Sequence, residues 1–312
     1  MVLGARGDRM ALKTMLEAVR DTLAEEMRRD ERVILLGEDV GRKGGVFKAT
    51  DGLFDEFGEN RVVDAPLAEG GIVGVAIGAA LNGLRPVAEI QFADFIWPAM
   101  DQIVSEAARL RYRTNGDAGC PLVIRTPYGG GVHGALYHSQ SIEAFFAHVP
   151  GLKVCAPATP ADTKGLLSAA IRDADPVLFL EHKRLYRSIK GEVPDGEHLV
   201  PIGKADVKRT GDDLSILTYG AMLHLALEAA EKLASEGISA EVLDLRTIAP
   251  LDLEAIAKSV HKTNRALILH EDTRTGGVGG ELAAFLAEEL FDDLDAPIVR
   301  VASPDVPAMP YN

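Results

Sequence analysis

Two histidines five positions apart, His133 and His138, lie in the stretch HGALYHSQS beside a tyrosine, two serines and a glutamine. Zinc ligands on one helix face would be four apart, with a glutamate between them in the metalloprotease pattern. Here no acidic residue lies between, and a glycine run at Gly129–Gly131 precedes, so the stretch reads as a loop. Three chemistries stay open for it: a metal site, a proton donor or ligand clamp, and an ordinary polar loop. Glu69 poses a similar choice. In DAPLAEGGIVGVAIGAA (64–80) it stands just before a small-residue helix. Its carboxylate either complements the helix N-terminus or faces a ligand from an apolar setting, where it could share a proton. The Gly/Ala richness also points to another backbone, or another subunit, approaching that helix closely. A third candidate is IQFADFIWPAMDQI (90–103), which gathers Phe92, Phe95 and Trp97 in a chain with only 5% aromatic residues.

Strand-like and helix-like runs alternate around these residues. Helical spacing covers 11–29, and a buried strand follows at 32–39. A helix at 70–82, a strand at 85–92 and a helix over roughly 97–113 come next. Strands recur at 121–126, 152–157 and 176–182, with a helix over 161–172 before the last. Short apolar runs separated by such helices predict parallel sheets covered on both faces. The polar, Gly- and Pro-rich segment 187–203 then reads as a linker. Beyond it, strands at 213–220, 238–246, 265–272 and 298–303 alternate with helices at 221–236, 251–260 and 280–292. The expectation is an α/β chain with an N-terminal parallel-sheet domain over 10–186 and a smaller α/β domain over 204–312. Glu69, the aromatic cluster and the histidine loop then all follow the carboxyl ends of strands, where open α/β sheets bind ligands. That constellation predicts a cofactor pocket without naming the cofactor.

Bulk properties narrow the classes. The formal charge of −14 argues against nucleic acid, whose phosphates demand a basic face. No apolar run reaches the ~18–20 residues needed to span a bilayer, and the first ten residues lack the apolar core of a signal peptide. Cys120 and Cys155 cannot make a disulfide framework and suit a reducing cytoplasm. TGGVGGELAAF (275–285) fails the dinucleotide spacing, so it reads as a tight turn with close helix packing, which disfavours a nicotinamide enzyme. No P-loop pattern occurs.

At these same residues the chain resembles a known family, the beta subunits of thiamine-diphosphate-dependent 2-oxo acid dehydrogenases. LLGEDVG with GGVFKATDGL, DAPLAEGGIVGVAIGAALNGLRPVAEIQFADFIWPAMDQIVSEAA, HGALYHSQSIEAFFAHVPGLKV, DPVLFLEHKRLYR and AEVLDLRTIAPLD match its blocks in order, over roughly residues 10–312. EIQFAD and HGALYHSQS look most like the branched-chain enzymes, with pyruvate or acetoin dehydrogenase as the alternative. The resemblance implies a pyrimidine-binding domain, a smaller transketolase-like C-terminal domain and an α2β2 heterotetramer. The alpha subunit would bind diphosphate and Mg2+ through a G-D-G…N motif, and this chain has no GDG triplet. Glu69 matches the glutamate that hydrogen-bonds the aminopyrimidine ring and Phe95 the aromatic that stacks on it. His138, the histidine of H-S-Q, matches the one assisting acyl transfer to the lipoyl group of the dihydrolipoyl acyltransferase core. Glu38 matches an acidic residue near the tunnel joining two active sites. Leu122, Ala170, Asp173 and Asp175 match a loop that binds structural potassium, largely through carbonyls. A docking scaffold without catalysis is disfavoured by the retained Glu, Phe and His. Two departures are visible: Asp64-Ala65-Pro66 stands where the family has Asp-Thr-Pro, and the chain ends at PDVPAMPYN, where relatives usually continue for about one helix. The residues before Met10 match nothing in the family.

Overall fold

In the computed structural model residues 10–307 are described; the segment before Met10 and the end of PDVPAMPYN lie outside them. The described strands are β1 (Met10–Thr14), β2 (Val33–Gly37), β3 (Val62–Asp64), β4 (Arg85–Glu89), β5 (Val123–Tyr128), β6 (Lys153–Cys155) and β7 (Val177–His182). After them come β8 (Lys190–Pro194), β9 (Asp206–Arg209), β10 (Leu214–Thr218), β11 (Ala240–Asp244), β12 (Thr247–Ala249), β13 (Ala266–Thr273) and β14 (Val299–Ser303). The larger sheet has the order β12-β6-β7-β5-β4-β2-β3 and the smaller one β14-β13-β10-β11-β9. A two-stranded ribbon pairs β1 with β8.

The larger sheet is parallel from β6 to β3 because both of its faces are buried. Leu35, Val87, Val123 and Phe179 pack on one side, while Leu36, Ala88, Ile124 and Leu178 pack on the other. Successive side chains point to opposite faces, so strands covered on both sides read as continuous apolar runs. Parallel strands in register bring their carboxyl ends to a single edge. That edge carries the candidate site.

Four expectations are refined. The helix expected from residue 11 starts at Met15, since Thr14 and Glu17 form a reciprocal capping box and the residues before it pair as β1. The helix expected over 97–113 is broken into a 3-10 turn at Trp97–Ala99, a π-helix at Gln102–Ala107 and a short α-helix at Leu110–Arg113. The π-turn shows as Ala108 N–H reaching back to Ile103 O at 3.0 Å. The segment 187–203 carries strand β8, held by β1, so sequence polarity there marked an edge ribbon. The sheets are mixed, because β12 runs antiparallel to β6 and β9 antiparallel to β11. Strand β12 follows β11 of the smaller sheet and closes the larger one, which couples the two layers through backbone bonds.

Candidate active site

The residues singled out by chemistry emerge from neighbouring strands of the larger sheet, in the order β5-β4-β2-β3. Glu38 follows β2 directly, and Gln91 Nε2, just past β4, donates to its carbonyl oxygen at 3.3 Å. Asp64 ends β3 and accepts from Gly41 N–H at 2.6 Å, which ties the Glu38 loop to the chain leading to Glu69. Glu69 is half-buried and opens the helix Glu69–Leu81. That helix is small-sided for a visible reason: a Cβ on Gly70 would lie 2.9 Å from the Pro98 carbonyl oxygen. Burial pushes the Glu38 carboxyl above its usual range, and repulsion from Asp39 and Glu69 adds to it. Two carboxylates therefore share one electrostatic neighbourhood at this mouth.

Aromatic rings form the other wall. Phe95 closes a 3-10 turn at Ala93–Phe95 after β4 and lies 5.6 Å from Phe92, centroid to centroid. The His138 ring meets Phe92 edge-on at 4.5 Å and Phe95 at 5.4 Å. Phe47 extends the group, 5.4 Å from Phe92. Trp97 stands apart: it is 40% exposed and packs on Phe145 at 5.1 Å.

The histidine loop is a loop, as its sequence predicts. It starts from Gly129 and Gly131, both in the left-handed region, and His133 and Ala135 share that conformation. Only a 3-10 turn at Ala135–Tyr137 interrupts it. His138 is half-buried, with Nδ1 3.0 Å from Gly134 O, and a Cβ at Gly134 would collide with the His138 side chain. His133 is exposed. The structure therefore separates the two histidines: one joins the aromatic wall and the other faces outward.

Beside the mouth, the smaller sheet closes on the base of the same loop. Glu271 on β13 accepts from Gly130 N–H at 2.6 Å, and its other oxygen lies 2.6 Å from His182 Nε2 at the end of β7. Burial raises the Glu271 carboxyl, yet His182 and the Gly130 N–H outweigh it and hold the group below its usual range. The Tyr219 hydroxyl donates to Glu143 Oε1 at 2.9 Å. Glu143 is pushed above the carboxylate range by burial and by nearby Asp272. Asp162 anchors another crossing, accepting from Lys208 at 2.6 Å and Arg246 at 2.9 Å.

The proposed potassium loop has a different environment. Asp173 accepts from Lys153 Nζ at 2.6 Å, and Asp175 pairs with Arg111 at 2.5 Å. The carbonyl of Leu122 accepts from Val177 N–H, that of Ala170 from Asp173 N–H, and that of Asp173 from Arg85. TGGVGGELAAF behaves as read. It leads into the helix Val278–Glu289, and a Cβ on Gly279 would come within 2.5 Å of His270 Nε2 and 3.3 Å of Ile268.

Sequence reasoning missed Asp94 and Lys183, which lie next to Phe92 and Phe95. Asp94 accepts from Ser139 N–H at 3.3 Å, and Lys183 Nζ lies 5.8 Å from the Phe92 centroid. Both follow strand ends, in QFAD and LEHKRLY, so the rule that pointed to Phe95 could have reached them. Glu271, inside β13, gave no such signal, and its pairing with His182 at the end of β7 is made only by tertiary contact.

Comparison with known proteins agrees with the two-domain fold. Residues 12–189 match the transketolase pyrimidine binding domain, and residues 203–312 match the transketolase C-terminal domain. The chain is 62% identical over 302 residues to the 2-oxoisovalerate dehydrogenase subunit beta of Bacillus subtilis, covering 97% of this chain and 92% of that one. It is 53% identical over 296 residues to the pyruvate dehydrogenase E1 component subunit beta of the same organism, covering 95% and 91%. A solved structure described as a split-gene transketolase, inactive beta4 tetramer, superposes with a TM-score of 0.78 at 26% identity, covering 94% of this chain and 90% of that one. With both domains matched in order and such identity along nearly the whole chain, this protein belongs to the beta subunits of the 2-oxo acid dehydrogenases.

Proposed function

We propose that this chain, paired with an alpha subunit as an α2β2 heterotetramer, carries out thiamine-diphosphate-dependent oxidative decarboxylation of branched-chain 2-oxo acids and reductive acylation of a lipoyl group. The observation that carries this reading is the 62% identity to a 2-oxoisovalerate dehydrogenase beta subunit, against 53% to a pyruvate dehydrogenase beta subunit of the same organism. The pyruvate enzyme, with the acetoin enzyme beside it, is the alternative.

The residues fit one half of the cofactor. An aminopyrimidine needs a carboxylate against its ring nitrogen and an aromatic face, and Glu69 and Phe95 supply these types at one mouth. Without a GDG triplet, the diphosphate and Mg2+ fall to the alpha subunit. When bound, the cofactor supplies the electron sink for decarboxylation. Glu69 would hold the ring proton, Phe95 would orient the ring, and Glu38 would keep a second acidic group beside Glu69. His138 would move a proton as the acyl group passes to the lipoyl-bearing dihydrolipoyl acyltransferase core; an imidazole exchanges protons near neutral pH. Phe92 and Phe95, edge-on to His138, would hold its ring in place for that transfer. Leu122, Ala170 and Asp173 each use one acceptor position of their carbonyls on N–H donors, so a second would be left for a structural potassium ion, while the side chains of Asp173 and Asp175 pair with Lys153 and Arg111. No helix of the described residues is long and apolar enough to cross a membrane. A cytoplasmic location is consistent with the free, buried thiols of Cys120 and Cys155.

The test is co-purification with an alpha subunit bearing a GDG…N motif, followed by turnover with an artificial electron acceptor, thiamine diphosphate and Mg2+. A faster rate with 3-methyl-2-oxobutanoate than with pyruvate is expected. The reverse ranking overturns the branched-chain assignment.

A further inference from the structure

We propose that Lys183 is a positioning residue for His138, acting with Asp94 to fix the loop that carries it. The proposal rests on the proton-transfer role assigned above to His138. Lys183 directly follows β7, and its backbone N–H donates to Tyr128 O at 3.1 Å. Its side chain is only 3% exposed, yet Nζ has no hydrogen-bond partner. A buried ammonium in that state is costly unless neighbouring groups offset it. Two groups do. The Phe92 ring lies 5.8 Å away, within the range of a cation–π contact, and is the ring His138 meets edge-on. Asp94, also buried, uses Oδ1 to accept from the N–H of Ser139, the residue after His138, and its Oδ2 has no hydrogen-bond partner. His138 is thus gripped from its ring side by Phe92 and from its backbone side by Asp94, and Lys183 is the cation common to both.

The charged groups acting on Lys183 come from two other elements: Asp94 past β4 and Glu271 on β13. Burial lowers the ammonium to about 8, and these two carboxylates favour its charged form. Near neutrality Lys183 carries its charge beside the Phe92 ring, with Asp94 and Glu271 as the neighbouring carboxylates. Without it, Phe92 and Asp94 lose the cation packed between them, and their hold on the ring of His138 and on the Ser139 N–H loosens.

The experiment uses the full α2β2 enzyme with K183M, K183R and D94N. Reductive acylation of a lipoyl domain is compared with turnover on an artificial acceptor, and amide hydrogen exchange is followed across residues 133–141. K183M is expected to lower acylation relative to acceptor turnover by about 10- to 100-fold, the scale of a misplaced catalytic group. The loop amides should exchange faster, and the fall in wild-type acylation above about pH 8 should vanish in K183M. K183R should restore the rate, and D94N should loosen the same amides. Wild-type acylation, pH profile and loop protection in K183M would overturn the proposal, as would an equal loss in both reactions with a lowered melting temperature. A loosened loop in K183M with no acyl transfer by the wild type would support the hold on the loop and refute the reductive acylation on which the role of His138 rests.

Discussion

The mouth at the carboxyl ends of β2 to β5 and the seam beside it, where the smaller sheet meets the larger, are built from similar residue types to opposite ends. At the mouth, Glu38, Glu69, Phe95 and His138 are half-buried and stand on loops and helix starts. At the seam, Glu143 and Tyr219 are buried and bonded to each other, and Glu271 is engaged at both oxygens. Carboxylate, histidine and aromatic residues alone therefore do not mark chemistry; the two regions differ in how far a visitor can reach them. The seam joins the two sheets through Glu271, Glu143 and Tyr219, although Glu143 Oε2 and His182 Nδ1 are buried there without a hydrogen-bond partner. The mouth keeps its groups half-buried, and the seam meets it at Gly130, the base of the histidine loop.

Substitutions should break this contrast unequally. The largest effect is expected from Glu69→Ala, which should lower turnover by about 10²–10⁴-fold, the range for a proton-transfer group. Its melting temperature should stay near wild type, and an unaltered rate would remove Glu69 from the chemistry. Glu271→Ala should do the opposite. Leaving Gly130 N–H and His182 without their acceptor should cost about 2–3 kcal/mol in denaturant unfolding. A fully stable E271A variant would show that the seam does not hold the loop. Glu143 predicts a pH effect. Its folded-state carboxyl stays protonated above the range where the unfolded chain ionises. The folded state then binds the extra proton, so stability falls as pH rises through that interval. Glu143→Gln should flatten that slope, and an unchanged slope would assign it to another group. The smallest change is expected from Trp97→Ala, about 1 kcal/mol for the lost edge-on contact with Phe145. Turnover should stay at the wild-type level, because the Trp97 ring packs on Phe145 and makes no ring contact with Phe92, Phe95 or His138 among the described residues; a large fall would extend the mouth to include it.

Legibility followed locality. Val33–Gly37, Val123–Tyr128 and Val177–His182 were readable because strands buried on both faces are continuous apolar runs. The helix Glu69–Leu81 was readable from its small residues, though its tight partner, Pro98 O, was not. The strand Met10–Thr14 was hidden, since its apolar spacing also fits a helix and its pairing partner, Lys190–Pro194, is remote in sequence. The crossing of Thr247–Ala249 into the larger sheet was hidden for the same reason. For the site, Glu69, Phe95 and His138 were reached from strand ends and family motifs, whereas Lys183 and Asp94 passed unnoticed among ordinary surface-like charges.

The sequence by itself determined the α/β class, the parallel core and the three strand-end loops that carry the candidate residues. Those depend on periodicity, turn residues and motif spacing, all of which act over short stretches of chain. Only the tertiary structure decided which histidine joins the aromatic wall, which carboxylates are engaged, and where the buried ammonium of Lys183 lies. Those depend on burial and on partners far away in the chain, as when Glu271 reaches Gly130 across the seam. A side chain's type is written locally, but its charge state and free valence are set by whatever the fold packs against it.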